Sequence, residues 1–186
     1  MKDRVALTAV IALAAGLAAC SSSSSGGTAT ASTASASGTE TIYGKVTGPA
    51  ALASNPVVHL TFTGPVATTA TQALGASAPK KGGSFTFHTA VGDLAITYGS
   101  FGAPSGTISA RTCLDVVTET VPVAVDGAKS TGKFAGAAGT GNVLVKGSGN
   151  LPKLRNGKCQ ESPNAQLSPK TAVATFTATI KLTVKQ

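Results

Sequence analysis

From residue 42 onwards the chain alternates apolar and polar side chains, and this pattern constrains the fold more than any other feature. In the segment VVHLTFTG, Val58, Leu60 and Phe62 fall on one side, while His59 and Thr61 fall on the other. Successive side chains of a β-strand point to opposite faces, so the pattern predicts strands with one buried face. Similar segments, separated by Gly, Pro and Asn roughly every ten residues, recur as far as the C-terminal AVATFTATIKLTV.

These segments predict an all-β domain over residues 42–186. We expect about seven or eight antiparallel strands, arranged as a single β-barrel or a β-sandwich. No segment shows a sustained helical period with start and stop signals. The chain has no Trp, and six Phe and two Tyr supply its aromatic side chains. Such a core suits two packed sheets or a small closed barrel.

The first twenty residues have the layout of an export signal. A basic start precedes the apolar residues 5–19, which end at Cys20. As a helix this segment is about 22 Å long, so a helix spanning a bilayer core of about 30 Å is the weaker interpretation. The sequence LAAC, ending at Cys20, resembles the bacterial lipobox. The resemblance implies that residues 1–19 are removed and that Cys20 is lipidated; the alternative is an ordinary signal peptide with a cysteine nearby.

Residues 20–41 then predict a tether. Almost all are Ser, Thr, Ala or Gly, with Glu40 as the single charged residue. Such a segment lacks the apolar surface for a core, so we expect the lipidated cysteine and a disordered linker before the domain. Lipidation implies a secreted protein attached to the extracytoplasmic face of the cell membrane.

The chain has three cysteines, an odd number, and this count assigns the other two. Lipidation of Cys20 leaves Cys113 and Cys159, which an exported protein can keep as a disulfide. Two free buried thiols or a metal site are the alternatives. Two sulfur ligands so far apart in the sequence, with no His beside them, make a poor zinc signature.

The formal net charge of +8 bears on partners. The basic residues are not clustered or interleaved with aromatic residues as on a nucleic-acid-binding surface, so we expect no nucleic-acid partner. Anionic envelope components are a more natural match, although the charge can also serve solubility alone. The sequence leaves the oligomeric state open.

A glycine-rich segment offers one family resemblance. Phe134-x-Gly136-Ala137-x-Gly139-x-Gly141, followed by a Val-rich strand, resembles the FxGAxGxG turn of secreted actinobacterial β-proteins and of allene oxide cyclase and dirigent-type barrels. The resemblance implies an antiparallel barrel and carries over no catalytic residue. A phosphate cradle would need a helix after the glycines, so a turn or bulge between strands is expected instead.

No constellation for catalysis or cofactor binding emerges, and we expect a non-enzyme without cofactors. His59 and His88 lie on the polar faces of their strands and would need a third ligand, such as Asp93 or Asp115, to hold a metal. We therefore predict no metal site. There is no Gly-x-Ser-x-Gly elbow for a serine nucleophile either.

The irregular segment around Cys159 provides the candidate site. Lys153, Arg155 and Lys158 lie within six residues, beside the turn signal Asn156-Gly157. A disulfide that holds this loop would give a local site for phosphate or carboxylate groups. The alternative is a solvated basic loop without a ligand.

Two functions follow as hypotheses. The first is a lipid-anchored, non-catalytic binding or interaction module of the cell envelope. The second is a barrel that carries or isomerises a small apolar molecule among Phe62, Phe85, Phe87 and Phe176. A filled core favours the first hypothesis, and an apolar lumen favours the second.

The anchor is directly testable. Cys20→Ala should release the protein from membranes or leave it unprocessed, because a thioether-linked diacylglycerol supplies two acyl chains and two chains suffice for stable attachment. Membrane fractionation and intact mass measure this. A mature wild-type protein without lipid, recovered from the medium, would contradict the lipobox assignment.

Overall fold

The computed structural model describes residues 35–53, 55–73, 82–162 and 165–185. These residues form nine strands and two short 3₁₀ turns, Gly48–Leu52 and Gly132–Phe134. The strands are β1 (Ser35–Thr47), β2 (Val57–Thr63), β3 (Thr68–Ala73), β4 (Gly83–Thr89), β5 (Gly92–Tyr98), β6 (Ser105–Ile108), β7 (Leu114–Val125), β8 (Ala138–Asn150) and β9 (Val173–Lys185). Within the described residues, no helix has the length and apolar character needed to span a bilayer.

All strand pairs are antiparallel and belong to one sheet. The order is β3-β2-β1-β9-β8-β7-β5-β4, and β6 pairs separately with β7. The two outer strands, β3 and β4, approach each other, so the sheet is a nearly closed barrel. The prediction of an all-β domain is therefore confirmed, and the sheet takes the barrel form. The described residues form nine strands, where about seven or eight were expected.

A glutamine side chain spans the remaining seam of the barrel. Gln72 of β3 donates from Nε2 to the carbonyl oxygen of Thr86 at 2.7 Å, and its Oε1 accepts from the His88 N–H at 3.3 Å. Both partners belong to β4. One side chain thus replaces two of the backbone hydrogen bonds that a ladder would supply.

The core fills the barrel in the way that the alternation predicts. In β9 the residues Ala174, Phe176, Ala178, Ile180, Leu182 and Val184 are all buried. The ring of Phe134, from the second 3₁₀ turn, is fully buried against Phe62, with 6.3 Å between their centroids. This ring closes the core where the 3₁₀ turn packs against β5 and β9.

The first strand begins earlier than expected. β1 starts at Ser35 and pairs with β9 along its whole length, from Ser35↔Lys185 to Thr47↔Val173. The boundary predicted at Ile42 therefore falls inside β1. Small Ser, Ala and Gly residues suit this position because their partner strand carries the large apolar side chains. The predicted signal peptide, residues 1–19, and residues 20–34, with Cys20, lie outside the described residues.

Burial of Glu40 is the main departure from an apolar interior. Its side chain is 0% exposed; Oε2 accepts from the Val66 N–H at 2.9 Å, and Oε1 has no hydrogen-bond partner. Burial raises the pKa of Glu40, and the bond from Val66 offsets only part of this. An ionised carboxylate in this position opposes folding.

This geometry sets a pH dependence. The folded-state pKa of Glu40 lies above the unfolded value of about 4.3, so its contribution to stability is greatest below that pH and declines as pH rises through the folded pKa. Glu40→Gln keeps the acceptor for Val66 but does not ionise. Chemical denaturation from about pH 4 to pH 7 should show the wild type losing more stability with rising pH than Glu40→Gln. Parallel pH profiles would contradict this account.

Candidate functional site

The predicted disulfide is present and organises one end of the sheet. Cys113 and Cys159 are joined, with their Cα atoms 5.3 Å apart. Around the bond lies a small apolar cluster, separate from the main core, in which Leu151 and Ala165 are buried. The bond therefore fixes the loop after β8 to the turn between β6 and β7.

The loop that follows β8 and ends at the disulfide folds into a short hairpin, Lys153–Cys159, which we call the cationic hairpin. Lys153 and Cys159 form an isolated antiparallel bridge. The Leu154 N–H donates to the Lys158 carbonyl at 2.8 Å, and the Gly157 N–H donates to the Leu154 carbonyl at 2.9 Å. Gly157 has a φ of 77°, a left-handed conformation that glycine adopts without strain. The Asn-Gly signal thus produces the predicted turn.

The structure places Lys153, Arg155 and Lys158 on this one short hairpin and leaves all three exposed. It also brings a segment beside the hairpin that sequence reasoning missed. Lys153 Nζ donates to the backbone carbonyl oxygen of Arg111 at 3.4 Å, so the backbone of this exposed residue, 42 positions away, lies next to the hairpin. The expected pairing of Cys113 could have indicated this, because Arg111 is two residues from that cysteine.

The cationic hairpin lies at the opposite end of the barrel from the start of β1. Ser35 pairs with Lys185, and β9 pairs near that end with the first residues of β8, through Ala138↔Thr183. The hairpin follows the last residue of β8, Asn150. Thirteen residues of β8 at about 3.3 Å each separate the two ends by roughly 40 Å.

The interior leaves little room for a ligand among the four candidate phenylalanines. Phe87 packs against Phe62, Phe85 and Phe176 with centroid distances of 5.8, 4.8 and 5.9 Å. A cavity beside Phe176 and Tyr98 measures about 30 Å³. That volume is close to the share of one water molecule in the liquid.

A shallow groove of about 830 Å³ crosses the outside of the barrel over β1, β9, β8, β7 and β5. Its polar lining comes from Thr39, Thr97, Thr140, Asn142, Thr179 and Lys181. These polar side chains offer hydroxyl and amide groups and a single cation, Lys181. For an anionic ligand it is a weaker match than the cationic hairpin.

The two histidines occupy separate sites on the barrel surface. His59 Nδ1 lies 2.9 Å from Thr71 Oγ1, and His88 Nδ1 lies 3.0 Å from Asp93 Oδ1. In the part of the chain that the structure describes, no group of three His, Cys, Asp or Glu residues is placed to hold a metal. The two rings therefore have different partners and do not converge.

The glycine segment forms a turn that enters a strand. Gly136 has a φ of 65°, and β8 begins at Ala138. A Cβ atom at Gly141 would lie 2.0 Å from the Thr179 carbonyl oxygen, so this close approach of β8 to β9 requires glycine. The predicted turn before a strand is confirmed, and no helix follows that would support a phosphate cradle.

Comparison of the chain with protein families, with curated proteins and with solved structures finds no match. The resemblances to the lipobox and to allene oxide cyclase and dirigent-type barrels therefore stay predictions.

The disulfide should hold the cationic hairpin more than the barrel. Replacing both Cys113 and Cys159 with Ala should lower stability by roughly 4 kcal/mol, because the bond closes a loop with a sequence separation of 46. Hydrogen exchange at residues 151–160 should approach the rate of unprotected amides, whereas amides of β1 and β9 should stay protected because the barrel remains folded. Protection that persists at residues 151–160, or that is lost across β1 and β9 as well, would contradict this local role.

Proposed function

We propose that the chain is a lipid-anchored protein on the extracytoplasmic face of the cell membrane, where its barrel acts as a non-catalytic interaction module. Cys20 is the anchor, and the cationic hairpin binds an anionic component of the envelope. The observation that carries the proposal is the disulfide-held hairpin that exposes Lys153, Arg155 and Lys158.

The rigidity of the hairpin supports a binding role. The backbone bonds of Leu154 fix the turn, and the disulfide fixes its base, so the backbone that carries the cations is ordered before a ligand arrives. Binding to a preorganised cluster costs less conformational entropy than binding to a mobile loop. Phosphate and carboxylate groups are the ligands that such cations favour.

The position of the hairpin also supports this role. The described chain enters the barrel roughly 40 Å from the hairpin, at the end nearer to Cys20 along the chain. An anchor at Cys20 would therefore leave the cationic hairpin free to meet a second surface or polymer.

The alternative, a carrier or isomerase for a small apolar molecule, would need a lumen. The phenylalanines that would line it pack against one another instead, and the neighbouring cavity of about 30 Å³ is far smaller than a typical ligand pocket of 300–1,000 Å³. These observations favour the interaction module.

A charge-matched pair of variants tests the proposal. Lys153→Ser, Arg155→Ser and Lys158→Ser together should weaken binding to a soluble glycerol phosphate polymer or to anionic vesicles by tenfold or more. The control replaces Lys45, Lys146 and Lys181 with Ser, which removes the same charge from exposed positions on the strands. It should have a much smaller effect.

The salt dependence of binding should also distinguish the two variants, because the variant without the hairpin cations loses the charge-driven part of its affinity. The Debye length falls from about 30 Å at 0.01 M to about 8 Å at 0.15 M, so wild-type affinity should decline steeply over this range. Equal losses in the two triple variants would mean that net charge, rather than the cationic hairpin, drives association, and would contradict the proposal.

A further inference from the structure

An exposed leucine lies at the centre of the cationic hairpin. Leu154 is 45% exposed, and it follows Lys153 and precedes Arg155. Lys158 pairs with it across the turn through the backbone bond of 2.8 Å. An exposed apolar side chain thus lies on the same short turn as three exposed cations.

The fold prevents this leucine from turning inward. Its N–H and its carbonyl oxygen are both used within the turn, to Lys158 and Gly157. The nearby apolar cluster is already occupied by Leu151, Ala165 and the disulfide, with Ile108 and Leu167 packed against it. Leu154 therefore lies exposed on a turn whose backbone is fixed.

We infer that Leu154 inserts into the interfacial region of an anionic lipid bilayer while the surrounding cations bind the headgroup phosphates. Surfaces that combine basic side chains with an exposed apolar side chain gain both electrostatic attraction to anionic lipids and burial of apolar area. A hydrated polyanionic polymer would bind the cations alone, and it would offer Leu154 no apolar environment. The inference rests on the proposed function and names its partner as a lipid surface.

The absence of Trp in the chain makes insertion measurable. Leu154→Trp creates a single fluorescent reporter in the turn. Leu144→Trp is the matched control, because Leu144 is also an exposed leucine, 41% exposed, but lies within β8. The protein used is residues 20–186 with Cys20→Ala, which keeps every described strand and lacks both the apolar segment and the lipid.

With vesicles of equal parts phosphatidylglycerol and phosphatidylcholine, Leu154→Trp should show a blue shift and quenching by brominated acyl chains. Leu144→Trp should show neither, and vesicles of phosphatidylcholine alone should move neither reporter. Leu154→Ser should weaken binding to anionic vesicles roughly tenfold, since it removes the buried apolar area. It should leave binding to a soluble glycerol phosphate polymer within about twofold, because the cations remain.

The other outcomes separate the inference from the function beneath it. If the anionic vesicles bind the protein but the reporter at residue 154 does not shift, association is electrostatic only and insertion is wrong. If the polymer binds and the vesicles do not, the partner is a polymer and insertion is again wrong. Both results leave the proposed function standing. If the protein binds neither the vesicles nor the polymer, the proposed function is overturned as well as the inference.

Discussion

The pairing of β1 with β9 holds the two halves of the barrel together. In the sheet order, β3, β2 and β1 lie on one side of this pair, and β9, β8, β7, β5 and β4 lie on the other. The register continues without interruption from Ser35↔Lys185 to Thr47↔Val173. Since these are the first and last described strands, the central contact of the sheet joins the most distant parts of the chain. Contacts of such high sequence separation make folding slow and dependent on late chain closure.

The opposite side of the barrel is held more loosely. Between β3 and β4 the side chain of Gln72 supplies hydrogen bonds in place of a ladder. The aromatic contact between Phe62 of β2 and Phe87 of β4 spans the same region from inside. The seam is thus closed by side chains, which explains how the barrel can be filled although its sheet does not close completely.

Alternation predicted the strands that carry large apolar side chains, because burial of one face leaves a visible period of two. It missed the bounds of the others. β3 reads Thr-Thr-Ala-Thr-Gln-Ala, and its single buried residue, Ala70, gives no such period. The domain is expected from the sequence to begin at Ile42, inside β1, because the smaller residues from Ser35 show no alternation and owe their strand conformation to pairing with β9. The disulfide was predictable from the cysteine count and the Asn156-Gly157 turn from local chemistry, whereas the bond from Lys153 to the Arg111 carbonyl depends on tertiary structure.

Stability and function make different demands on the two ends of this domain. At the entry end, Phe134 seals the core and Glu40 remains buried with one unpaired oxygen, a cost that strong packing elsewhere must offset. At the far end there is little core to build on, and the disulfide replaces packing as the support of the cationic hairpin. Because that support is covalent, the hairpin can keep its cations and Leu154 exposed without losing its shape. An apolar contact of equal strength would have required burying the side chains that the proposed site needs at the surface.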